Sequence, residues 1–331
     1  MANINDRVIE ASGDIGHIYG LAGYYSECEK MQHVVVATTD GRLHELHWNW
    51  RIHPFSYSPL LSSPGSAPVQ FSDNQGRNRI HSLSGFYTSD DHFQHVIIAT
   101  GDRALHEVYF TDPQHVNLRS PLVQLPAPAG DHIGQAGFYD FGADLRTVIV
   151  GGANYVLYEV AWNAGVAPSP SYLLNLSTLS QSTHPEVAAI AGFYDLSFLS
   201  EGVPFVSKNV IVAMKNGEIY DVRSEGTSPG GGSTTTEFVT RFSPPLVNVA
   251  AFVETETHCR HVIALQANGQ LYDYSYTPEQ VSGQAQTPLV RIDNVVDIVG
   301  YYSAYDSTCH VIAGTSEANG KLHDVSYNLR Q

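Results

Sequence analysis

The residues in this chain best suited to chemistry stand just ahead of a recurring Gly-aromatic-Tyr motif. His17 and Tyr19 precede Gly23-Tyr24-Tyr25, Arg79 and His81 precede Gly85-Phe86-Tyr87, and Asp131 and His132 precede Gly137-Phe138-Tyr139. Glu186 precedes Gly192-Phe193-Tyr194, Asn248 precedes the degenerate Ala251-Phe252-Val253, and Asn294 and Asp297 precede Gly300-Tyr301-Tyr302. One and three residues before the motif the side chains are mostly small, but four to six before it they differ from copy to copy. A scaffold is served by repeating one residue type, so the divergence points to a single asymmetric pocket. There His17, His81 and His132 would move protons near neutral pH, Glu186, Asp131 or Asp297 would orient an imidazole, and Arg79 would hold an oxyanion. Tyr19, Arg79, Asp131, Asn248 and Asn294 would contact the ligand. Such a set suits proton transfer of the lyase, isomerase or cyclase type, and no cofactor is expected.

Other chemistries lack their spacing. His44-Glu45-Leu46-His47 does not place two histidines at i and i+4 of a helix, as zinc proteases require. On a strand, His44 and His47 point to opposite faces. Cys259-Arg260-His261 and Cys309-His310 have no Cys-x-x-Cys partner, so no metal is expected. Neither a Gly-x-Ser-x-Gly elbow nor a phosphate-binding Gly-x-x-x-x-Gly-Lys-Ser/Thr loop occurs.

The elements that must position these residues follow from repetition. The motif returns about every 55 residues, six times in all. Each copy continues into an apolar run: His33-Val34-Val35-Val36, His95-Val96-Ile97-Ile98, Thr147-Val148-Ile149-Val150, Asn209-Val210-Ile211-Val212, His261-Val262-Ile263-Ala264 and His310-Val311-Ile312-Ala313. Turns such as Asp40-Gly41, Asn216-Gly217 and Asn268-Gly269 tolerate positive φ and close hairpins. A third strand then carries a repeated acid: Glu45, Glu107, Glu159, Asp221, Asp273 and Asp324. An aromatic follows three residues later at Trp48, Phe110, Trp162, Tyr276 and Tyr327. The acids admit two readings. With the aromatics they would form equivalent sugar sites, or they tie the third strand to its neighbour inside each blade. The residue opening each apolar run (His33, His95, Thr147, Asn209, His261, His310) reads as a cap on the preceding loop.

Three short strands and a weaker fourth per copy predict an all-β fold, a six-bladed β-propeller of four-stranded antiparallel blades. The blades are expected at about 15–62, 78–125, 130–176, 185–242, 245–293 and 294–331, the last completed by 6–12. The final copy has no room for a fourth strand, so Arg7-Val8-Ile9-Glu10-Ala11 is expected to supply it and close the ring. The Gly/Ser/Thr-rich stretch 225–236 reads as a loop inside the fourth blade, and the chain as one domain.

Composition bounds the partners. Seventeen Lys and Arg stand against 33 Asp and Glu, a formal net charge of −16, which disfavours nucleic acid and anionic membrane surfaces. Apolar residues at 43% exclude a disordered chain. No apolar window is long enough to span a bilayer. The first seven residues lack the apolar core of a secretion signal, and Cys28, Cys259 and Cys309 read as free thiols, so a cytoplasmic location is expected.

The six-copy rhythm with His-Val-Ile-Val and Asp-Gly-x-Leu-His-Glu resembles the propellers of the fucose-specific-lectin-like superfold across nearly the whole chain. Lectins of that group hold fucose between blades with a repeated Arg, Glu and aromatic; Arg42 and Arg103, in hairpin turns here, have no counterparts in the other copies. Two functions are therefore carried forward. One is an intracellular propeller binding one small organic ligand at the mouth of its axial channel, with acid–base catalysis of it. The other is a multivalent lectin-like carbohydrate binder with sites between blades. Stoichiometry separates them.

Overall fold

Runs of β-branched residues dictate the architecture. Val34-Val35-Val36, Val96-Ile97-Ile98, Val148-Ile149-Val150 and Val210-Ile211-Val212 are all 0% exposed, so their strands must be covered on both faces. Face-to-face stacking of sheets around a ring does this. The computed structural model describes residues 3–328 apart from 10–14, 27–28, 50–51, 73–78, 127–131, 141–143, 153, 164–165, 180–185, 199–203, 226–232, 244, 282–283 and 318–319. The fold is a six-bladed β-propeller of four-stranded antiparallel blades. By contacts the chain divides into two compact units, Met1–Gln124 with Ile292–Gln331 and Leu125–Arg291.

The first unit opens with β1 (Asn3–Ile9). Blade 1 follows as β2 (Ile18–Ser26), β3 (Met31–Thr38), β4 (Leu43–Asn49) and β5 (Ile52–Pro59). Blade 2 is β6 (Ile80–Tyr87), β7 (Gln94–Thr100), β8 (Ala104–Phe110) and β9 (Asn117–Gln124). The second unit holds blade 3, with β10 (His132–Asp140), β11 (Leu145–Gly152), β12 (Val156–Asn163) and β13 (Val166–Asn175). Blade 4 is β14 (Val187–Phe198), β15 (Pro204–Met214), β16 (Glu218–Glu225) and β17 (Thr234–Arg241). Blade 5 is β18 (Leu246–Val253), β19 (Arg260–Gln266), β20 (Gln270–Tyr276) and β21 (Thr287–Arg291). Blade 6 returns to the first unit with β22 (Val295–Ser303), β23 (Thr308–Thr315) and β24 (Leu322–Asn328), and β1 pairs antiparallel with β24 as its outer strand. The expected closing strand is thus confirmed, two to four residues earlier than the sequence pattern placed it.

Blades pack through apolar clusters. Val35, Ala37 and Leu43 of blade 1 meet Ile80, Val96, Ile98 and Phe110 of blade 2. Val34, Val36 and Leu46 on the opposite face meet Tyr301, Ile312 and Leu322 of blade 6. In the second unit Val210 and Val212 meet blade 3, while Ile211 and Ala213 meet blade 5. Alternate residues of one strand therefore serve opposite neighbours, each buried Val or Ile contributing about 1.5–3 kcal/mol before conformational entropy is set against it. No helix among the described residues is long and apolar enough to cross a membrane.

Candidate functional site

The innermost strands carry a feature the repeat pattern does not announce. Each contains a register shift at the same place: between Ile18 and Gly20, Ile80 and Ser82, His132 and Gly134, Val187 and Ala189, Leu246 and Asn248, and Val295 and Asp297. The skipped residues are Tyr19, His81, Ile133, Ala188, Val247 and Val296, one unpaired residue per blade. A bulge re-aims its side chain out of the pleat. Tyr19, Val247 and Val296 are 42%, 46% and 36% exposed accordingly. This is the position, four before the motif glycine, where the copies diverge.

The candidate residues around these bulges divide between the two units. In the first, Asp297 Oδ2 accepts a hydrogen bond from the Leu21 backbone N–H at 2.7 Å, and its Oδ1 accepts one from Ile298 N–H at 2.9 Å. Burial, reinforced by the Asp297 charge, pushes the Tyr19 phenol above its ordinary range. Arg79 pairs with Asp102 in the turn after β7, His81 packs over Gly101, and His17 Nδ1 lies 3.3 Å from the Ser316 carbonyl. Asn294 sits at a turn with φ of 59°. In the second unit Glu186 pairs with Lys215 at 3.0 Å, and Asn248 Oδ1 accepts from the Val249 N–H at 2.7 Å. His132 begins β10, and Asp131 lies outside the described residues. Tyr19 and Asp297 are thus brought together; Asp297, Arg79 and Glu186 each contact a neighbouring element, while Asn248 bonds within its own strand.

The repeated acids are buried inside the blades. His33 Nδ1 meets Glu45 at 2.8 Å, His95 meets Glu107 at 2.9 Å, His261 meets Asp273 at 2.9 Å and His310 meets Asp324 at 2.9 Å. Asn209 donates to both oxygens of Asp221 at 3.0 and 3.1 Å. In the histidine blades the imidazole also stacks on the first-strand aromatic, as Tyr24 on His33 and Phe252 on His261 at 5.2 and 4.9 Å. Its second nitrogen turns to the preceding loop, to Glu29 for His33 and Thr88 for His95, which is the expected loop cap. The bond within the blade is therefore what the acid repeat provides.

A second repeated position emerges from the register. The residue just before each His, Thr or Asn is Gln32, Gln94, Arg146, Lys208, Arg260 or Cys309. At each of the four blade–blade contacts inside the units it reaches the preceding blade. Gln94 accepts from the Tyr24 hydroxyl at 2.5 Å, and Gln32 accepts from the Tyr301 hydroxyl at 3.0 Å. Lys208 pairs with Glu159, and Arg260 donates to Asp195 at 2.7 Å and Asp221 at 3.1 Å. Cations do recur in register, then, and these three are 7% exposed or less, committed to packing.

One cluster of this chemistry reaches the surface. Arg119 on β9 lies opposite Glu107 and donates to its Oε2 at 3.1 Å, with the Arg119 side chain 46% exposed. Its guanidinium sits 5.2 Å from the ring of Tyr109, two residues beyond Glu107 on the same face of β8, and Phe93 meets Tyr109 edge-on at 5.4 Å. Arg7 takes the same place opposite Asp324 in blade 6, but there Ser326 replaces the tyrosine. An arginine on the fourth strand, twelve residues past the acid in blade 2, was not singled out in the sequence because the fourth strands vary most.

No family model matches the chain, and comparison with curated proteins gives no match. Solved structures do match. AofleA from Arthrobotrys oligospora superposes with a TM-score of 0.60 at 12% identity, over 95% of this chain and 84% of that one. SapL1 lectin, in complex with alpha methyl fucoside, gives 0.59 at 10% identity over 92% and 91%. The lectin AAL from Aleuria aurantia, in complex with Fucalpha1-6GlcNAc, gives 0.61 at 12% identity over 92% and 91%. At these identities the likeness is one of fold.

Proposed function

We propose that this protein is a lectin-like carbohydrate-binding protein, with Arg119, Glu107 and Tyr109 of blade 2 forming its principal sugar contact. The observation that carries the reading is the half-exposed Arg119 guanidinium held by a buried carboxylate beside an aromatic pair. A guanidinium presents several N–H donors in a fixed plane, suited to vicinal hydroxyls and a ring oxygen, while aromatic π faces of the kind Tyr109 and Phe93 carry suit the C–H face of a pyranose. Solved lectins of the same fold, two of them holding fucosides, make fucosides the first ligands to try. Because the other acids turn inward to His, Asn, Lys or Arg, the reading narrows from several equivalent sites to one.

The inner-strand bulges support a second reading, a small ligand held by Tyr19, His81 and Asp297 with acid–base chemistry on it. A glycan array that includes α-linked fucosides, followed by calorimetry of any hit, separates the two. Lectin function predicts one site, weakened at least about tenfold in Arg119→Ala and unchanged in His81→Ala. Binding indifferent to Arg119 but lost in Tyr19→Ala or His81→Ala would transfer the function to the inner strands. An array with no hit would remove the carbohydrate reading.

A further inference from the structure

The acid of blade 1 is provided for differently from those of blades 2 to 5. In blades 2, 3 and 4 the acid receives a cation or phenol: Arg119 on Glu107, Lys208 on Glu159, Arg260 and Tyr276 on Asp221. In blade 5 both oxygens of Asp273 face His261. Glu45, whose side chain is 1% exposed, uses Oε1 on His33, while its Oε2 is buried with no hydrogen-bond partner. Facing that oxygen at 3.5 Å is Nδ1 of His47, itself buried without a hydrogen bond. The acceptor and the ring nitrogen thus make a long ion-pair contact with each other, short of hydrogen-bond geometry.

The cross-strand register explains how a third ligand joins them. His33 on β3 is the direct partner of His47 on β4, and Glu45 lies two residues before His47 on the same face. The two imidazoles are 5.8 Å apart between centroids, inclined at 39°. Donor atoms of His33, Glu45 and His47 all lie within 4.8 Å of one another. Ligands about 2.0–2.2 Å from a tetrahedral zinc ion stand about 3.3–3.6 Å apart, inside that limit. Glu29 Oε2 lies 3.2 Å from the other His33 nitrogen, the outer carboxylate that commonly fixes the tautomer of a ligating histidine. Sequence spacing argued against a metal by pairing His44 with His47. The structure sends His44 to the opposite face, where its Nδ1 meets the Tyr57 hydroxyl at 2.7 Å, and pairs His47 with His33 instead.

We infer that His33, Glu45 and His47 form a binding site for a divalent first-row transition metal, zinc in particular, in blade 1 alone. The site follows from the coincidence of two histidines and one carboxylate on adjacent strands. No other blade can form it, because the residue at the place of His47 is Tyr109, Ala161, Arg223, Ser275 or Ser326. Two imidazoles and a carboxylate suit zinc or cobalt and leave a fourth position open to water or a ligand. His47, 25% exposed at its side chain, and Glu29, at 39%, give the ion a path from solvent. The site is independent of the sugar contact in blade 2.

The test uses the full chain, stripped with chelator and dialysed, then titrated with zinc by calorimetry and with cobalt by visible absorption. One ion per chain is expected, with the intense d–d bands of a four-coordinate cobalt site. His47→Ala should weaken zinc at least about 100-fold and bleach those bands, while circular dichroism confirms an intact sheet signal. His47→Asp, which restores a carboxylate ligand, should recover part of the affinity. His44→Ala, on the opposite face, should leave binding unchanged. Absence of a stoichiometric ion, or binding that survives His47→Ala through other histidines, would overturn the assignment.

Discussion

His310 shows how a buried pair couples this fold to pH. Burial alone would depress its pKa, but the Asp324 charge and the hydrogen bonds of Asp306 and Asp324 outweigh it and raise the imidazole from 6.5 to about 9. A pKa raised by folding means stability that is fully present below the unfolded value and lost as pH climbs through the folded one. The urea midpoint should therefore be higher at pH 6 than at pH 10, by on the order of 2–3 kcal/mol in unfolding free energy from this residue. Asp306, whose pKa the same contacts lower from 3.8, works in the other sense, and its contribution disappears on acidification below that value. His310→Asn should flatten the alkaline limb while the blade still folds, since Asn209 already serves Asp221 in that capacity. The acid and its strand-two partner were legible in the sequence because both repeat. The unpartnered oxygen of Glu45 was not, because it depends on which residue of β3 lies opposite His47, a register that spacing along one strand does not encode.

At the scale of the element, the hairpin between the second and third strands depends on one left-handed residue. Gly41, Gly217 and Gly269 adopt φ of 81°, 91° and 81° there, whereas blades 2 and 3 place Arg103 and Tyr155 in the same slot at 67° and 61°. The sequence made the glycine turns plain, and a blade without glycine kept its turn because the flanking strands are buried on both faces. Gly217 is the demanding case, since a Cβ added to it would lie 1.9 Å from the Phe242 carbonyl oxygen. Gly217→Ala should cost about 3 kcal/mol or more, combining backbone strain with that clash, and should lower the thermal midpoint accordingly. An unchanged melt would mean that β17 shifts freely away from the turn. The inner-strand bulges were visible in the sequence only as divergence four residues before the motif. Their cause, an extra unpaired residue in every first strand, needed the partner strand to reveal it.

For the molecule as a whole, the pairing of β1 with β24 decides whether blade 6 is complete. Its seven register pairs run from Asn3 with Asn328 to Ile9 with Leu322, and Ile9 is 1% exposed in the cluster shared by blades 6 and 1. Deleting residues 1–9 should leave β24 as an open edge and uncover that cluster. The truncated chain is expected to elute as higher-order species in size-exclusion chromatography and to bind an apolar dye, and a monodisperse monomer would show the outer strand to be dispensable. The same pairing has a consequence for biosynthesis. β1 is synthesised roughly 320 residues ahead of its partner β24, so at about 5–20 residues per second the strand waits roughly a quarter of a minute to a minute before its partner exists. Throughout that interval its edge and the apolar side of Ile9 are available to other chains. Asp6 and Arg7 place charge within the strand itself, which disfavours its pairing with a second nascent copy.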